Sequence, residues 1–251
     1  MKVTKIIKDK SNKYKVIIDD IEYILYDDVL LKYSLGLKNE IDKSSFNDLL
    51  EYNDFLSYYY MSLKYIQSRL RCEKEVRTYL SKKNVDKNII EKVIFKLYKD
   101  SYLNDYVYIK SYINDSINLS DKGPLKIKQE LINLDLDINL IDETLDTILS
   151  KVDINKRIEN IINKKIKVNK DKGSNYLKRK ILFSLINLGY NKEVILSVLN
   201  SITFNDTDII KKEREKAYNK YSKKYSGYEL DLKVKSYLYR KGFNIGDMYE
   251  E

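Results

Sequence analysis

Residues 101–149 read SYLNDYVYIKSYINDSINLSDKGPLKIKQELINLDLDINLIDETLDTIL. The pattern predicts three short helices. Asn104 or Asp105 caps the first, which carries Tyr108, Tyr112 and Ile113 to about Leu119. Gly123 then breaks the chain. Pro124 takes the first position of a second helix, where a missing N–H costs nothing because that donor has no partner in the helix. Ile127, Leu131 and Leu134 fall on one face of it at spacings of four and three. Asp135 ends this helix, and a third follows with Leu140, Ile141, Leu145, Ile148 and Leu149 inward.

Working outward from Leu131, the same arrangement recurs around Leu80, Leu185 and Leu238. Four residues before each anchor stands Val76, Ile127, Ile181 or Val234; five after stands Val85, Leu136, Tyr190 or Phe243. Ten after stands Ile90, Ile141, Ile195 or Met248. Four after stands Asn84, Asp135, Gly189 or Gly242, the residue types that adopt positive φ at least cost, as the position after a helix end requires. Agreement of these columns in four copies marks an internal repeat.

The repeats divide the chain into 44–100, 101–150, 151–204 and 205–251, the last with its third helix cut short after Asn244. Before them, residues 1–43 form a β-rich leader of a different kind. The runs 2–8, 13–18 and 21–26 read as strands of an antiparallel meander. A short helix capped by Asp27 or Asp28 follows, ending near Gly36. So small a sheet needs helices to pack against. The first long helix is expected from a Ser44 or Ser45 cap to about Gln67, with Asp48 in its first turn. The fold class is therefore mainly α, tandem three-helix repeats behind a small β leader.

Charge is unevenly spread. Formal net charge is +9, yet residues 1–150 hold 24 basic and 25 acidic side chains, while 151–251 hold 23 and 13. The excess lies in the last two repeats, which points to a polyanionic partner there. Its densest part is Lys164, Lys165, Lys167, Lys170 and Lys172, continued by Lys178, Arg179 and Lys180. A helix expected over 206–225 adds a stripe of Lys212, Lys216, Lys220, Lys223 and Lys224 opposite Ile210, Ala217, Tyr221 and Tyr225; Glu213 and Glu215 lie elsewhere on it. Arg240 and Lys241 close the basic set, and Arg69, Arg71 and Arg77 flank a helix break in the first repeat. A lysine stripe on one helix is usually a solvated face; two clusters in one net-positive half make nucleic-acid contact a serious reading. Tyr58, Tyr59 and Tyr60 span most of a helix circumference, so core packing accounts for them better than base stacking.

Little points to catalysis. There is no histidine, hence no usual general base or zinc ligand. No phosphate-binding glycine loop is present, and no cofactor or metal is expected. Asp135, Asp137, Asp142, Glu143 and Asp146 read as an exposed acidic helix face. The single cysteine, Cys72, excludes an internal disulfide and sits where a Ser cap would serve. No run of apolar residues is long enough to span a membrane and no leader peptide is evident, so a cytoplasmic location is expected.

At these repeats the sequence resembles the RecX family, regulators of the RecA recombinase. The resemblance is carried by Arg71-Cys72-Glu73-Lys74-Glu75-Val76-Arg77 with Leu80, by Leu97, and by Tyr102-Leu103-Asn104-Asp105. It continues through Lys122-Gly123-Pro124 with Ile127, Glu130 and Leu131, and through Arg240-Lys241-Gly242-Phe243. Cys72, Tyr106-Val107-Tyr108 and Asn133-Leu134-Asp135 depart from the family pattern. The resemblance implies an elongated, curved array that docks on the RecA filament and restrains its recombination and coprotease activities. It implies a monomer whose partners are that filament and single- or double-stranded DNA without sequence preference. The residues by themselves leave open a direct DNA-binding protein that places a helix in the major groove, or a scaffold that binds protein alone.

Overall fold

A meander of β1 (Val3–Lys8), β2 (Lys13–Ile18) and β3 (Ile21–Tyr26) opens the chain, antiparallel in the order β1-β2-β3. Asp19 and Asp20 both take positive φ between β2 and β3, the conformation that matches a two-residue turn to strand twist. The structure is a computed structural model and describes residues 1–36 and 40–244. After α1 (Asp27–Lys32) come α2 (Lys43–Gln67), α3 (Glu73–Ser81) and α4 (Lys87–Lys99). Then follow α5 (Asp105–Leu119), α6 (Pro124–Ile132), α7 (Ile138–Leu149), α8 (Ile154–Val168), α9 (Ser174–Asn187) and α10 (Lys192–Ser201). The series ends, among the described residues, with α11 (Thr207–Tyr221) and α12 (Gly227–Arg240). Apart from α1, these form three three-helix units in tandem and, among the described residues, a final pair of helices.

The register found in the sequence governs burial. Leu80, Leu131, Leu185 and Leu238 are each fully buried, and the columns four before and five after them are buried throughout. Asn84, Asp135, Gly189 and Gly242 all have φ between 57° and 89°. After Asn84, Gly189 and Gly242 the next residue's N–H folds back onto the anchor leucine; Tyr190, for example, donates to Leu185 O at 3.1 Å. Met248 and the expected last helix lie outside the described residues.

Helix starts differ from expectation in detail. Asp42, not Ser44 or Ser45, caps α2, accepting from Ser45 N at 2.9 Å, and Asp48 lies beyond the first turn. Tyr26 is the cap residue of α1, so Asp27 and Asp28 sit inside its first turn, where carboxylates face unpaired N–H groups. α11 stops at Tyr221 rather than Tyr225. Asn104, Asp137 and Asp153 cap α5, α7 and α8 through their side chains.

The chain forms two compact units, residues 1–108 and 109–251. In the first, leader and helices share one core: Val16, Ile18, Leu25 and Val29 pack with Phe46, Leu49, Leu56, Leu80 and Leu97. Asn53 of α2 pins β3, accepting from Tyr26 N at 3.0 Å and donating to Ile24 O at 3.2 Å. Of the three adjacent tyrosines, Tyr59 is buried and Tyr58 and Tyr60 pack against the same core.

In the second unit, consecutive repeats are joined through their backbones. Gly123 N donates to Leu188 O (2.6 Å) and Leu125 N to Gly189 O (3.0 Å); Gly173 N donates to Lys241 O (2.9 Å) and Asn175 N to Gly242 O (3.2 Å). The unpaired donors at the start of α6 and α9 thus meet unpaired carbonyls at the end of α9 and α12, and the helix dipoles align head to tail. At the intervening position Pro124 has no N–H, and Ser174 N is taken by Asp206 at 2.9 Å. Backbones approach this closely because both partners are glycine. A Cβ on Gly123 would lie 2.6 Å from the Gly189 carbonyl, and one on Gly173 would overlap that of Gly242.

Candidate nucleic-acid interface

Each joint of the second unit leaves a groove beside it. One, of about 590 Å³, lies between the end of α8, the loop after it, and the first turns of α11. It gathers Lys167, Lys170 and Lys172 from one repeat with Lys212 and Lys216 from the next. These lysines come from the two clusters that the sequence singled out, some forty residues apart in the chain. They converge because the joint fixes the end of one repeat's first helix against the start of the next.

Carboxylates also line this groove, but three are occupied internally. Asp206 accepts from Ser174 N. Asp171 accepts from Lys241 at 3.1 Å and pairs with Lys172. Glu213, only 2% exposed, accepts from Lys216 at 2.7 Å, from Tyr237 at 3.0 Å and from Lys241. Burial alone would raise the Glu213 pKa, but these donors outweigh it and hold the carboxyl below its ordinary value. Lys241 is raised in turn: burial opposes its charge, and its bonds to Glu213, Tyr237 and Asp171 together more than compensate. Among the described residues no ion pair engages Lys167, Lys170 or Lys212, whose ammonium groups stay free for an anionic ligand.

A second groove, about 610 Å³, occupies the corresponding place between the end of α5 and the start of α8. Lys164 lines it with Lys156 and Arg157. Arg157 bridges the repeats, donating to the carbonyls of Ile117 and Ser120 and, at 2.8 Å, to Tyr190 Oη. Sequence reasoning passed over Lys156 and Arg157; their position in the first turns after the Asp153 cap was the available signal.

The other expected site residues are dispersed. Lys165 is half-buried, while Lys178 lies over the Phe204 ring at 5.1 Å. Arg179 is exposed, and Lys180 donates to Asn169 Oδ1 at 3.1 Å. Lys220 is exposed on α11, and Lys223 and Lys224 are exposed beyond its end. Arg240 is exposed with its Nε on Ser236 O, whereas Lys241 is drawn inward by Glu213. In the first unit, Arg69 and Arg71 both pair with Glu75, at 2.5 and 3.2 Å. Arg77 pairs with Glu73 and, through two nitrogens, with Glu91. Glu75 also accepts from Cys72 N at 3.3 Å, closing the start of α3; the Cys72 thiol is buried and its pKa is raised by that burial. Of the acidic residues in the second repeat, Asp137 is a cap and Asp142 pairs with Lys128 at 2.6 Å. No described helix is long and apolar enough to cross a membrane.

Fold and grooves together define a tandem three-helix repeat protein with a basic surface on its C-terminal unit. Models of the first and third three-helix domains of RecX match residues 59–97 and 205–250. Regulatory protein RecX of Streptococcus thermophilus (strain CNRZ 1066) is 32% identical over 252 residues, covering 98% of this chain and 96% of its own. That of Lactococcus lactis subsp. lactis is 31% identical, covering 92% and 88%. A crystal structure of regulatory protein RecX superposes with a TM-score of 0.69 at 21% identity, over 80% of this chain and 99% of that one. RecX from Lactobacillus salivarius gives 0.53 at 26% identity, over 59% and 95%. The chain belongs to the RecX family of regulatory proteins.

Proposed function

We propose that this protein binds the RecA filament on DNA and restrains it, with the lysine groove of the C-terminal unit against the nucleic-acid phosphates. The observation that carries the reading is the convergence of Lys167, Lys170 and Lys212, free of internal partners, from two repeats onto one groove. Attraction of such a surface to phosphate is independent of base sequence, which suits a regulator of a recombinase that must work on any DNA. Residues 1–150, with 24 basic and 25 acidic side chains, would supply protein contacts. The protein would act as a cytoplasmic monomer by binding, hydrolysing nothing itself.

Co-sedimentation with cognate RecA on single-stranded DNA tests this. The protein should pellet with the filament, and its retention should fall as salt rises. Binding to naked duplex DNA with a marked sequence preference would instead favour a major-groove reader.

A further inference from the structure

The first unit holds a groove with different chemistry. It is about 910 Å³ and lies between α2 and α4, with the end of α1 at one side. Its apolar surface is aromatic. Phe95 stands 71% exposed on α4 although its neighbours Val93, Ile94 and Leu97 are buried, so the core makes no use of it. Tyr52 and Phe55 of α2 face the same space, their rings stacked at 5.9 Å. Neighbouring side chains hold these rings in place. The Lys32 ammonium sits 3.7 Å from the Tyr52 ring centroid, and Phe55 packs on Tyr59, whose hydroxyl donates to Asp100 at 2.5 Å.

The two walls differ in the sign of the charges left without a partner; Glu91 and Lys96 of α4 also line the groove but pair with Arg77 and Asp100, and Lys32 of α1 lines it over the Tyr52 ring. Asp48 and Glu51 come from α2, Lys92 and Lys99 from α4, and among the described residues no ion pair engages any of the four. Helix backbones satisfy their own hydrogen bonds, so these walls cannot extend a β-strand; they recognise an occupant through side chains alone. Free carboxylates along one wall repel a nucleic-acid backbone. An apolar trough between helices, with unpaired carboxylates on one wall and unpaired ammonium groups on the other, suits the helix-in-groove mode of recognition.

We propose that this groove docks an amphipathic α-helix of a partner protein. The helix would lay an aromatic or leucine stripe over Phe95, Tyr52 and Phe55. It would carry carboxylates along the edge facing α4 and cations along the edge facing α2. This assignment is independent of the lysine groove in the second unit.

The probe is a fluorescein-labelled, side-chain-stapled helical peptide of about 18 residues, spanning ~27 Å. It has leucine and phenylalanine at i, i+3, i+4 and i+7, glutamate on one edge and lysine on the other. Two control peptides carry glutamate on both edges or lysine on both. Anisotropy titrations use the full chain, with oligothymidylate as a fourth ligand. The mixed-edge peptide should bind at least ~10-fold tighter than either control, and Phe95→Ala should weaken it by ~10-fold or more, as for a central aromatic anchor. Since Phe95 is exposed, that variant should melt with wild type. The double variant D48K/E51K, which removes the acidic wall, should shift preference to the peptide with glutamate on both edges. No binding of the mixed-edge peptide, binding indifferent to Phe95→Ala, or tighter binding of either single-sign peptide to wild type would overturn the proposal. So would oligothymidylate binding that depends on Phe95.

Discussion

The two units bury the same register of residues and are stabilised differently. In the first, leader, α2, α3 and α4 feed a single core rich in tyrosine, and a side chain, Asn53, ties sheet to helix. In the second, cores are small and separate: Ile158, Ile181 and Leu185 belong to one cluster, Ile210, Leu230 and Leu238 to another. Between them stand backbone hydrogen bonds, a pair of glycines and one cation per joint. A repeat scaffold can therefore gain cohesion by pooling apolar surface or by matching helix ends. The second route leaves grooves beside each joint, and in this chain lysines line them.

The sharpest way to break this contrast is to cut equivalent anchors. Leu80→Ala and Leu238→Ala should both destabilise, within about 2–5 kcal/mol for a cavity left by a buried leucine. Leu80 should sit at the upper end, since its larger shared core has less freedom to collapse. Urea denaturation of the two variants checks this, and equal losses would deny the difference between the units.

Next comes the joint itself. Gly173→Ala adds only a methyl group at an ordinary φ of −73°, yet that methyl overlaps the Gly242 carbonyl. We expect a loss of about 1–3 kcal/mol, the usual cost of overpacking. Gly227→Ala is the control: a Cβ there meets nothing within 4 Å, so only its positive φ of 55° is charged against it, and the loss should be smaller.

The repeats themselves were legible before the structure because their signals are local: an anchor leucine, an apolar partner one turn away, and a residue tolerant of positive φ. Asn84, Asp135, Gly189 and Gly242 were identified by type alone, and all four adopt that conformation. What could not be read was pairing across repeats. Gly123 read as a helix break, whereas its closeness to Gly189, like that of Gly173 to Gly242, depends on residues some seventy positions away. Glu213 read as one more charge away from the apolar face; Lys241, 28 residues on, makes it a buried partner. The lysine clusters were visible as composition, but that Lys167, Lys170 and Lys212 share a groove while Lys241 is spent inside the joint is a property of the assembled repeats.

Glu213 gives the joint a pH dependence. Its folded pKa lies below the ordinary value of 4.5, so the stability it contributes is fully present above that pH and is lost as the carboxyl protonates on acidification. Thermal melts should show stability falling below about pH 4.5. In Glu213→Gln that part of the decline should be absent, with stability at neutral pH lower by about 1–3 kcal/mol because Lys241 loses its buried partner. An unchanged acid profile would remove the ion pair from the account.

The smallest effect on stability, and the largest on binding, is expected from reversing the free lysines. Lys167→Glu, Lys170→Glu and Lys212→Glu together should change stability by no more than roughly 0.5 kcal/mol each. Lys216 is left alone because its reversal would set a second carboxylate beside Glu213. Each lost phosphate contact should reduce the salt dependence of single-strand binding by about 0.7 in log–log slope, about 2 for the three.

The most direct test of the central claim is DNA-dependent ATP hydrolysis by the cognate RecA on single-stranded DNA, measured with increasing amounts of this protein. Wild type should suppress the rate at or below stoichiometric ratios, and the 167/170/212 charge reversal should need a clear excess to do the same. A rate that wild type leaves unchanged, or one that both proteins suppress equally, would contradict the account. The first would remove its action on the filament, and the second would remove the lysine groove from that action.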